Sequence, residues 1–414
     1  MSTEDSCSEV RGLIPRILQA LHAKKVWESV KGAEDVECSL FKDLSKPHIR
    51  ILTPKNPEEQ PVVVKFESKI PCGVKFFKIE PHTVEIHQLL SEHGLSTKLL
   101  AFSSGAPAGS GGDEDHSEPN FTVEALGVCY FDLAEAEGNP NYWDTANSAS
   151  GTGGEMAKLA ARLHKKVDPQ WFDKYRSKIV ELCPFMGDKG PDSPFWGIMR
   201  TDALGQARNM AATLKESEKT AGPESLDGSD TQIFLHQKRS YAPTNEDMKR
   251  IAALLPKPQG SHASRVVTVH SDLWAANVVK ELCSNEARLI DLEGVTVSYA
   301  AIELAQFCNQ RGVSKVYLEE LTKGEDPLTE EEIDRFWLEA LIAGNVQDVL
   351  RYLCWEDQKL EVDSVTRTIA HAERFRACAE KLRTDQDLCA QFLRNKGDDA
   401  FSEEAMTSVL GNSS

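Results

Sequence analysis

The sequence has few basic residues for its length. Across 414 residues, 47 Lys and Arg are outnumbered by 65 Asp and Glu, which gives a formal net charge of −18 at pH 7. Such a charge repels phosphate backbones and anionic lipid headgroups unless a basic patch offsets it, and no stretch of the sequence forms such a patch. We therefore expect neither a nucleic-acid partner nor a membrane partner, whereas a cationic ligand suits this charge.

The sequence also lacks long apolar runs and paired cysteines. No stretch approaches the roughly 18 apolar residues that a membrane-spanning helix needs, and the first residues, MSTEDSC, do not have the basic region of a signal peptide. The 10 cysteines include no C-x-x-C pair and no Cys/His group at zinc spacing. We expect a cytoplasmic protein whose cysteines are reduced and mostly structural.

The first third of the chain is predicted to contain most of the strands. Residues 1–36 show an amphipathic helical pattern. Residues 37–130 contain short β-branched runs, such as HIRIL and PVVVKF, around one helical segment, which predicts a small antiparallel sheet. Within this part, residues 103–120 are rich in Gly, Ser, Pro and acidic residues and are predicted to be a flexible loop.

The rest of the chain is predicted to be mostly helical, which makes the fold class α+β. In residues 131–395 the helical pattern is interrupted by strand-like runs at 265–294, and residues 396–414 are expected to be a C-terminal tail. The run Gly151–Gly154 precedes a helical pattern, but no strand comes before it and no G-K-[ST] follows. It therefore indicates a helix start and not a phosphate-binding loop.

The segment 265–294 contains the groups that phosphoryl transfer needs. Two apolar strand-like runs each lead to a carboxylate, Asp272 or Asp291, and Asn277 lies between them. One carboxylate must orient the attacking hydroxyl and accept its proton, while a carboxylate and an amide oxygen suit Mg²⁺ on nucleotide phosphates. We assign Asp272 to the first role and Asn277 with Asp291 to the second.

The residues around these carboxylates match a known double motif. His270 to Asn277 reads HSDLWAAN, which fits H-x-D-x-x-x-x-N, and Ile290 to Glu293 reads IDLE. The pair resembles the motifs of choline and ethanolamine kinases, within the aminoglycoside phosphotransferase-like small-molecule kinases. The resemblance implies a bilobal protein-kinase-like fold with a small antiparallel-sheet N-lobe and a mostly helical C-lobe. It also implies that Asp272 is the catalytic base, that His270 supports its loop, and that Glu293 is a further acidic group near metal or substrate.

The strand-rich part should then supply a nucleotide-binding lysine. PVVVKF places Lys65 in a V-x-K setting that resembles the kinase lysine on the third strand, which holds the ATP phosphates. Glu85, on the next predicted helix, is the expected partner of Lys65, with Glu80 as second choice. Further along, Glu303 stands where the family has an aspartate that supports the catalytic loop.

One part of the family pattern has no counterpart. The stretch KDLSKPHIRI contains no glycine, whereas the family covers the ATP phosphates with a Gly/Ser-rich turn. Ser45, Lys46 and His48 are the side chains that can contact phosphate there. The alternative is a degenerate loop that binds nucleotide poorly.

Tryptophans are the candidates for contact with the acceptor. Trp274, inside the motif, either stacks on substrate or packs. Trp337, Tyr352 and Trp355 lie at helical spacing where choline kinases form an aromatic cage for a quaternary ammonium group. Core packing is the simpler interpretation of this set, and Trp355 is the candidate for substrate contact.

These observations predict an ATP- and Mg²⁺-dependent kinase of a small cationic amino alcohol, with choline or ethanolamine as the leading acceptor. An aminoglycoside-like or ketosamine-like acceptor stays open, since HSDLW also echoes the H-G-D-L-W of fructosamine kinases. A second alternative is a catalytically weak pseudokinase that acts as a nucleotide-binding or interaction module. The sequence does not decide whether the chain forms a homodimer.

Overall fold

The computed structural model describes most of the chain. The described residues are 3–40, 48–67, 79, 81–103, 120–129, 151–174, 250, 253–254, 262–282, 284, 286–304, 311–354, 362–395 and 403–411. Ser45, Glu80 and Trp355 lie outside these ranges, as do most of the predicted loop 103–120 and the start of the predicted tail. The side chain of Glu293 is likewise outside the description.

The chain divides into two compact units. The first contains Met1–Glu137 and Ala276–Leu292, and the second contains Gly138–Ala275 and Glu293–Ser414. The first unit thus includes residues 276–292, which the sequence assigns to the helical part. Strand pairing, described below, accounts for that membership.

The first unit is built on a five-stranded antiparallel sheet. Its strand order is β1-β2-β3-β5-β4, and every pair is antiparallel. The strands are β1 Val36–Leu40, β2 Ile49–Pro54, β3 Val62–Phe66, β4 Leu99–Ser103 and β5 Phe121–Ala125; the helices are α1 Thr3–Ala23 and α2 Pro81–Glu92. The predicted α+β class, with a small antiparallel sheet in the first part of the chain, is confirmed.

The two faces of the sheet differ in chemistry. On β3, Val62, Val64 and Phe66 are buried in a hydrophobic cluster that also contains the apolar side of α1. Because side chains alternate along a strand, Lys65 projects from the opposite face. The sheet therefore separates a core side, covered by α1, from a side that presents charged groups.

A second, three-stranded sheet ties residues 276–292 to the first unit. It contains β6 Gly127–Cys129, β8 Val278–Glu281 and β9 Ala287–Leu289, in the order β6-β8-β9. Leu289 also exchanges backbone hydrogen bonds with the segment after α2, since its N–H donates to Leu95 and its carbonyl accepts from Thr97. These pairings fix the segment that contains Asn277 and Asp291.

The second unit is mostly helical in its described residues. Its strands β7 Val266–Val269 and β10 Thr296–Tyr299 form an antiparallel pair. Its helices are α3 Thr152–Lys166, α4 Ala300–Leu304, α5 Arg311–Leu321, α6 Glu330–Cys354, α7 Val362–Thr384, α8 Gln386–Asn395 and α9 Glu403–Leu410. Trp337 is buried in an apolar cluster between α6, α7 and the last two helices, which confirms core packing for this tryptophan. Among the described helices, none is long and apolar enough to cross a bilayer.

Candidate active site

The predicted catalytic loop leaves the buried strand β7. His270 and Ser271 follow the strand directly and are almost completely buried, and Leu273 is buried as well. Asp272, between them, is half-buried, and Trp274 keeps 37% of its surface exposed. The buried neighbours anchor the loop on both sides of the carboxylate of Asp272. Trp274 is accessible, which is a requirement for the substrate contact predicted for it.

Ser271 holds an unusual backbone conformation next to Asp272. Its φ is +68°, in the left-handed region, which costs a non-glycine residue about 1–2 kcal/mol. The Ser271 N–H donates to Glu303 Oε2 at 3.2 Å, and Glu303, on α4, is buried. The carboxyl group of Glu303 therefore holds the backbone of the strained residue next to Asp272.

Burial changes the protonation of Glu303. Removal from water raises the pKa of Glu303 from 4.5 to about 8, with a further rise from the charge of Asp272 and an opposing effect of backbone hydrogen bonds from Ser271 and His270. Glu303 is thus mostly protonated at neutral pH. A second full negative charge beside Asp272 is avoided.

Asn277 and Asp291 come together at the ends of a strand pair in the first unit. The 3₁₀ turn Ala275–Asn277 leads into β8, whose Val278 pairs with Leu289 of β9. At this end of the pair, the Ile290 N–H donates to the Asn277 carbonyl at 3.0 Å. Asp291 is therefore one residue from a direct backbone contact with Asn277, and the pairing of their side chains stays a prediction.

These two residues suit a magnesium ion by their chemistry. An amide oxygen and a carboxylate oxygen are hard ligands, and Mg²⁺ is usually held by one or two carboxylates together with water and phosphate oxygens. Within the described residues, no group of three or more His, Cys, Asp or Glu side chains can hold a metal ion. Asn277, Asp291 and the phosphates of a nucleotide are the ligands that would hold Mg²⁺ here.

Lys65 forms an ion pair that the sequence did not predict. Its Nζ lies 3.5 Å from Oε1 of Glu124, a buried residue of β5. Glu85, the predicted partner, lies on the exposed side of α2, and its pairing with Lys65 stays a prediction. Only the pairing of β3 with β5 puts Glu124 on the same face of the sheet as Lys65, so no pattern within FTVEA alone could have found this contact.

Two further groups contact Glu124. Its Oε1 lies 3.7 Å from Nδ1 of His87 on α2, and its Oε2 accepts a hydrogen bond of 3.1 Å from the Thr97 hydroxyl. Burial would raise the pKa of Glu124, but Lys65, His87 and Thr97 outweigh it and hold that pKa below its usual value. Burial lowers the pKa of His87 in spite of the opposing effect of Glu124. At neutral pH the cluster therefore contains one carboxylate, one ammonium group and a neutral imidazole.

Comparison with known proteins finds similarity only at the level of structure. No protein-family model matches the chain, and no curated protein sequence matches it. Solved structures that match include the ethanolamine kinase of Plasmodium vivax, with 11% identity, a TM-score of 0.45 and coverage of 82% of each chain, and the choline kinase of Cryptosporidium parvum, with 11% identity, a TM-score of 0.41 and coverage of 86% of this chain and 93% of that one. A spectinomycin phosphotransferase in complex with ADP and spectinomycin matches with 12% identity, a TM-score of 0.34 and coverage of 83% of this chain and 93% of that one. Function is therefore inferred from the chain's own residues.

Proposed function

We propose that this protein is an ATP- and Mg²⁺-dependent kinase that phosphorylates a hydroxyl group of a small cationic amino alcohol, with choline or ethanolamine as the leading acceptor. The main support is the H-x-D-x-x-x-x-N motif followed by IDLE. The backbone contact between Asn277 and Ile290 supports it further, since it brings the amide and Asp291 to one end of a strand pair.

Each group has a defined part in this reaction. The acceptor hydroxyl oxygen attacks the γ-phosphorus, its bond to phosphorus forms as the bond to ADP breaks, and Asp272 accepts the hydroxyl proton. Asn277 and Asp291 would hold Mg²⁺, which supplies positive charge against the phosphate oxygens. Lys65 binds the phosphates of ATP through its ammonium group.

The remaining predicted residues have supporting parts in the proposal. His270 is buried behind Asp272 and supports the loop. Glu293 follows Asp291 closely and would add acidic charge near the metal, and Ser45 would contact phosphate from the glycine-free stretch. Trp274 and Trp355 are the proposed contacts for the cationic end of the acceptor, because an ammonium group is attracted to an aromatic face.

The decisive experiment measures ADP release by the purified chain with Mg-ATP. Choline, ethanolamine, aminoglycosides and ketosamines are compared as acceptors, for the wild type and for Asp272→Asn. Loss of a general base costs about 10²–10⁴ in rate, so we expect turnover with one acceptor class and a loss of this size in the variant. Retained turnover in Asp272→Asn would refute the assignment of the base.

Two variants serve as references in the same assay. Asp168→Asn makes the same chemical change at an exposed residue that caps a 3₁₀ turn through the Gln170 N–H, and we expect it to leave the rate unchanged because Asn also caps well. Asp291→Ala should raise the Mg²⁺ concentration needed for activity. If Asp291→Ala kept the Mg²⁺ dependence of the wild type, the metal assignment would be wrong.

A nucleotide-binding module without turnover is the second candidate. It is favoured by one observation, the absence of glycine from KDLSKPHIRI, since close approach of the backbone to phosphate usually needs glycine. Binding of Mg-ATP by calorimetry, with no ADP release for any acceptor, would favour this candidate over the kinase.

A further inference from the structure

We infer that Glu124 of β5 is a residue that positions Lys65 for the nucleotide phosphates, and that Thr97 holds Glu124 in place. The inference deepens the proposed kinase function, on which its catalytic consequence rests. It gives to a residue of the sheet itself a role that the sequence assigned to Glu85 of the helix.

The register of the sheet brings the two charged residues together. Lys65 pairs with Thr122 and Val63 pairs with Glu124, so Lys65 and Glu124 are diagonal neighbours that project from the same face. The core under α1 occupies the other face. The Nζ–Oε1 distance of 3.5 Å is therefore fixed by two paired strands and not by a mobile surface contact.

Exposure within the pair is unequal. The side chain of Glu124 keeps 5% of its surface exposed, whereas that of Lys65 keeps 18%. Glu124 is thus the more buried member of the pair, and Lys65 is the less buried one. A phosphate-binding lysine needs a buried anchor and a side chain that a ligand can reach, and this difference in exposure supports that role for Lys65.

A hydrogen bond from Thr97 restricts the rotamer of Glu124. The Thr97 hydroxyl donates to Oε2 of Glu124, while Lys65 faces Oε1. Since a carbonyl oxygen only accepts hydrogen bonds, His87 Nε2, 2.9 Å from the Thr97 carbonyl, must donate its hydrogen there. His87 thereby holds the backbone of Thr97, whose hydroxyl holds Glu124.

The charges of the cluster favour one ionisation state. The ammonium group of Lys65 and the neighbouring polar groups keep the pKa of Glu124 low although the residue is buried. Removing one partner from a buried ion pair is costly, because the other charge then lies buried without compensation. Lys65 and Glu124 should therefore be energetically coupled, and this coupling is measurable without ATP.

The first test is a double-mutant cycle on the free energy of unfolding, with Glu124→Gln, Lys65→Met and the double variant. Residues in direct contact show interaction energies of about 0.5–3 kcal/mol, so we expect Lys65→Met to destabilise the wild type more than it destabilises the Glu124→Gln protein. The same cycle with Glu37→Gln is the matched control, for which we expect additivity, because Glu37 is exposed on β1, which β2 separates from β3. Additivity for Glu124 would overturn the inference.

The second test follows the reactivity of Lys65 directly. An amine-acylating reagent modifies the neutral amine and not the ammonium form, and mass spectrometry of the Lys65 peptide gives the rate. We expect several-fold faster acylation in Glu124→Gln than in the wild type or in Glu37→Gln, because loss of the carboxylate destabilises the ammonium form by about 1 kcal/mol or more. Equal rates in Glu124→Gln and the wild type would contradict the inference.

The third test is catalytic and uses the acceptor found in the ADP-release assay. We expect Glu124→Gln to lower kcat/KM for Mg-ATP by about tenfold or more while the KM for the acceptor changes little, since the effect acts through a phosphate contact. If the wild type shows no turnover, the kinase proposal fails, while the coupling and acylation tests still decide whether Glu124 positions Lys65. If coupling and acylation behave as expected but kcat/KM is unchanged, the positioning role in catalysis is refuted.

A milder variant covers the case in which Glu124→Gln does not fold. Thr97→Val has nearly the same shape as the wild type and removes only the hydroxyl that donates to Glu124. We expect a smaller change in the same direction in the acylation rate and in kcat/KM for Mg-ATP. An unchanged acylation rate in stably folded Thr97→Val would show that Thr97 does not hold Glu124.

Discussion

Replacing Glu303 by glutamine should change how the stability of the protein depends on pH. In the unfolded chain this carboxyl group has a pKa of 4.5, whereas in the folded protein burial raises its pKa to about 8. Between these two values the folded state binds more protons than the unfolded state. The stability that Glu303 contributes is therefore complete below pH 4.5 and is lost as the pH rises through about 8.

The size of the effect follows from this difference in pKa. Each pKa unit corresponds to about 1.4 kcal/mol, so the shift from 4.5 to about 8 sets an upper limit of about 5 kcal/mol on the loss. Glutamine keeps an oxygen that can accept the hydrogen bond from the Ser271 N–H, but it does not titrate. We expect Glu303→Gln to gain stability relative to the wild type, by up to several kcal/mol, between about pH 5 and pH 9.

Urea unfolding at a series of pH values measures this difference. Glu339→Gln on α6 is the control, since Glu339 is also buried but lies near the guanidinium groups of Arg335 and Arg383. Its substitution should destabilise the protein across the whole pH range, because two basic groups lose a partner. A stability difference between wild type and Glu303→Gln that stays constant with pH would refute the reasoning about Glu303.

Three further predictions concern the local structure. Ser271→Val should destabilise the protein by about 1–3 kcal/mol and lower turnover, because a β-branched residue is strained at positive φ. Ser271→Gly should be tolerated, and urea unfolding and the ADP-release assay compare the two variants with the wild type. Gly127→Ala should lower the free energy of unfolding by about 1–3 kcal/mol, since a Cβ at this position would lie 2.7 Å from Cγ2 of Val279. Adding Val279→Ala to the Gly127→Ala protein should restore its stability, as measured by thermal unfolding. Phe66→Ala should cost about 3–5 kcal/mol in urea unfolding because it opens a cavity under α1.

The sequence was informative where the signal is local. Short β-branched runs predicted the strands around Lys65, and the order of Asp272, Asn277 and Asp291 after strand-like runs predicted a phosphoryl-transfer motif, because both signals depend only on neighbouring residues. The expected support of this loop by Glu303 came from the family resemblance. These features do not depend on which strand lies beside which.

The contacts that the sequence did not predict depend on strand register. Glu124 lies far from Lys65 in sequence, and only the pairing of β3 with β5 places the two side chains on one face as neighbours. Likewise, residues 276–292 join the first unit through pairing with the three-residue strand β6, which is too short to give a periodic signal. The propensity and periodicity of a segment do not predict which distant strand it pairs with.

Backbone strain is a further feature that the sequence does not predict. Whether a strained residue has a structural or a functional explanation depends on its contacts. Ser271 and Asp291 both have positive φ, as do Lys25 and Trp27 after α1. The turn after α1 has a structural explanation, since the carbonyl of Trp27 contacts His22 Nε2 and its indole N–H donates to the Gln60 carbonyl.

At Ser271 and Asp291, by contrast, the strain coincides with carboxylates that end strands. Each position costs about 1–3 kcal/mol and persists only because its surroundings over-determine it. Buried Glu303 holds the first, and the hydrogen bond between Ile290 and Asn277 holds the residue next to the second. The backbone is thus strained at or next to both carboxylates of one motif, which supports the proposed phosphoryl transfer, since that reaction needs carboxylates held in fixed positions.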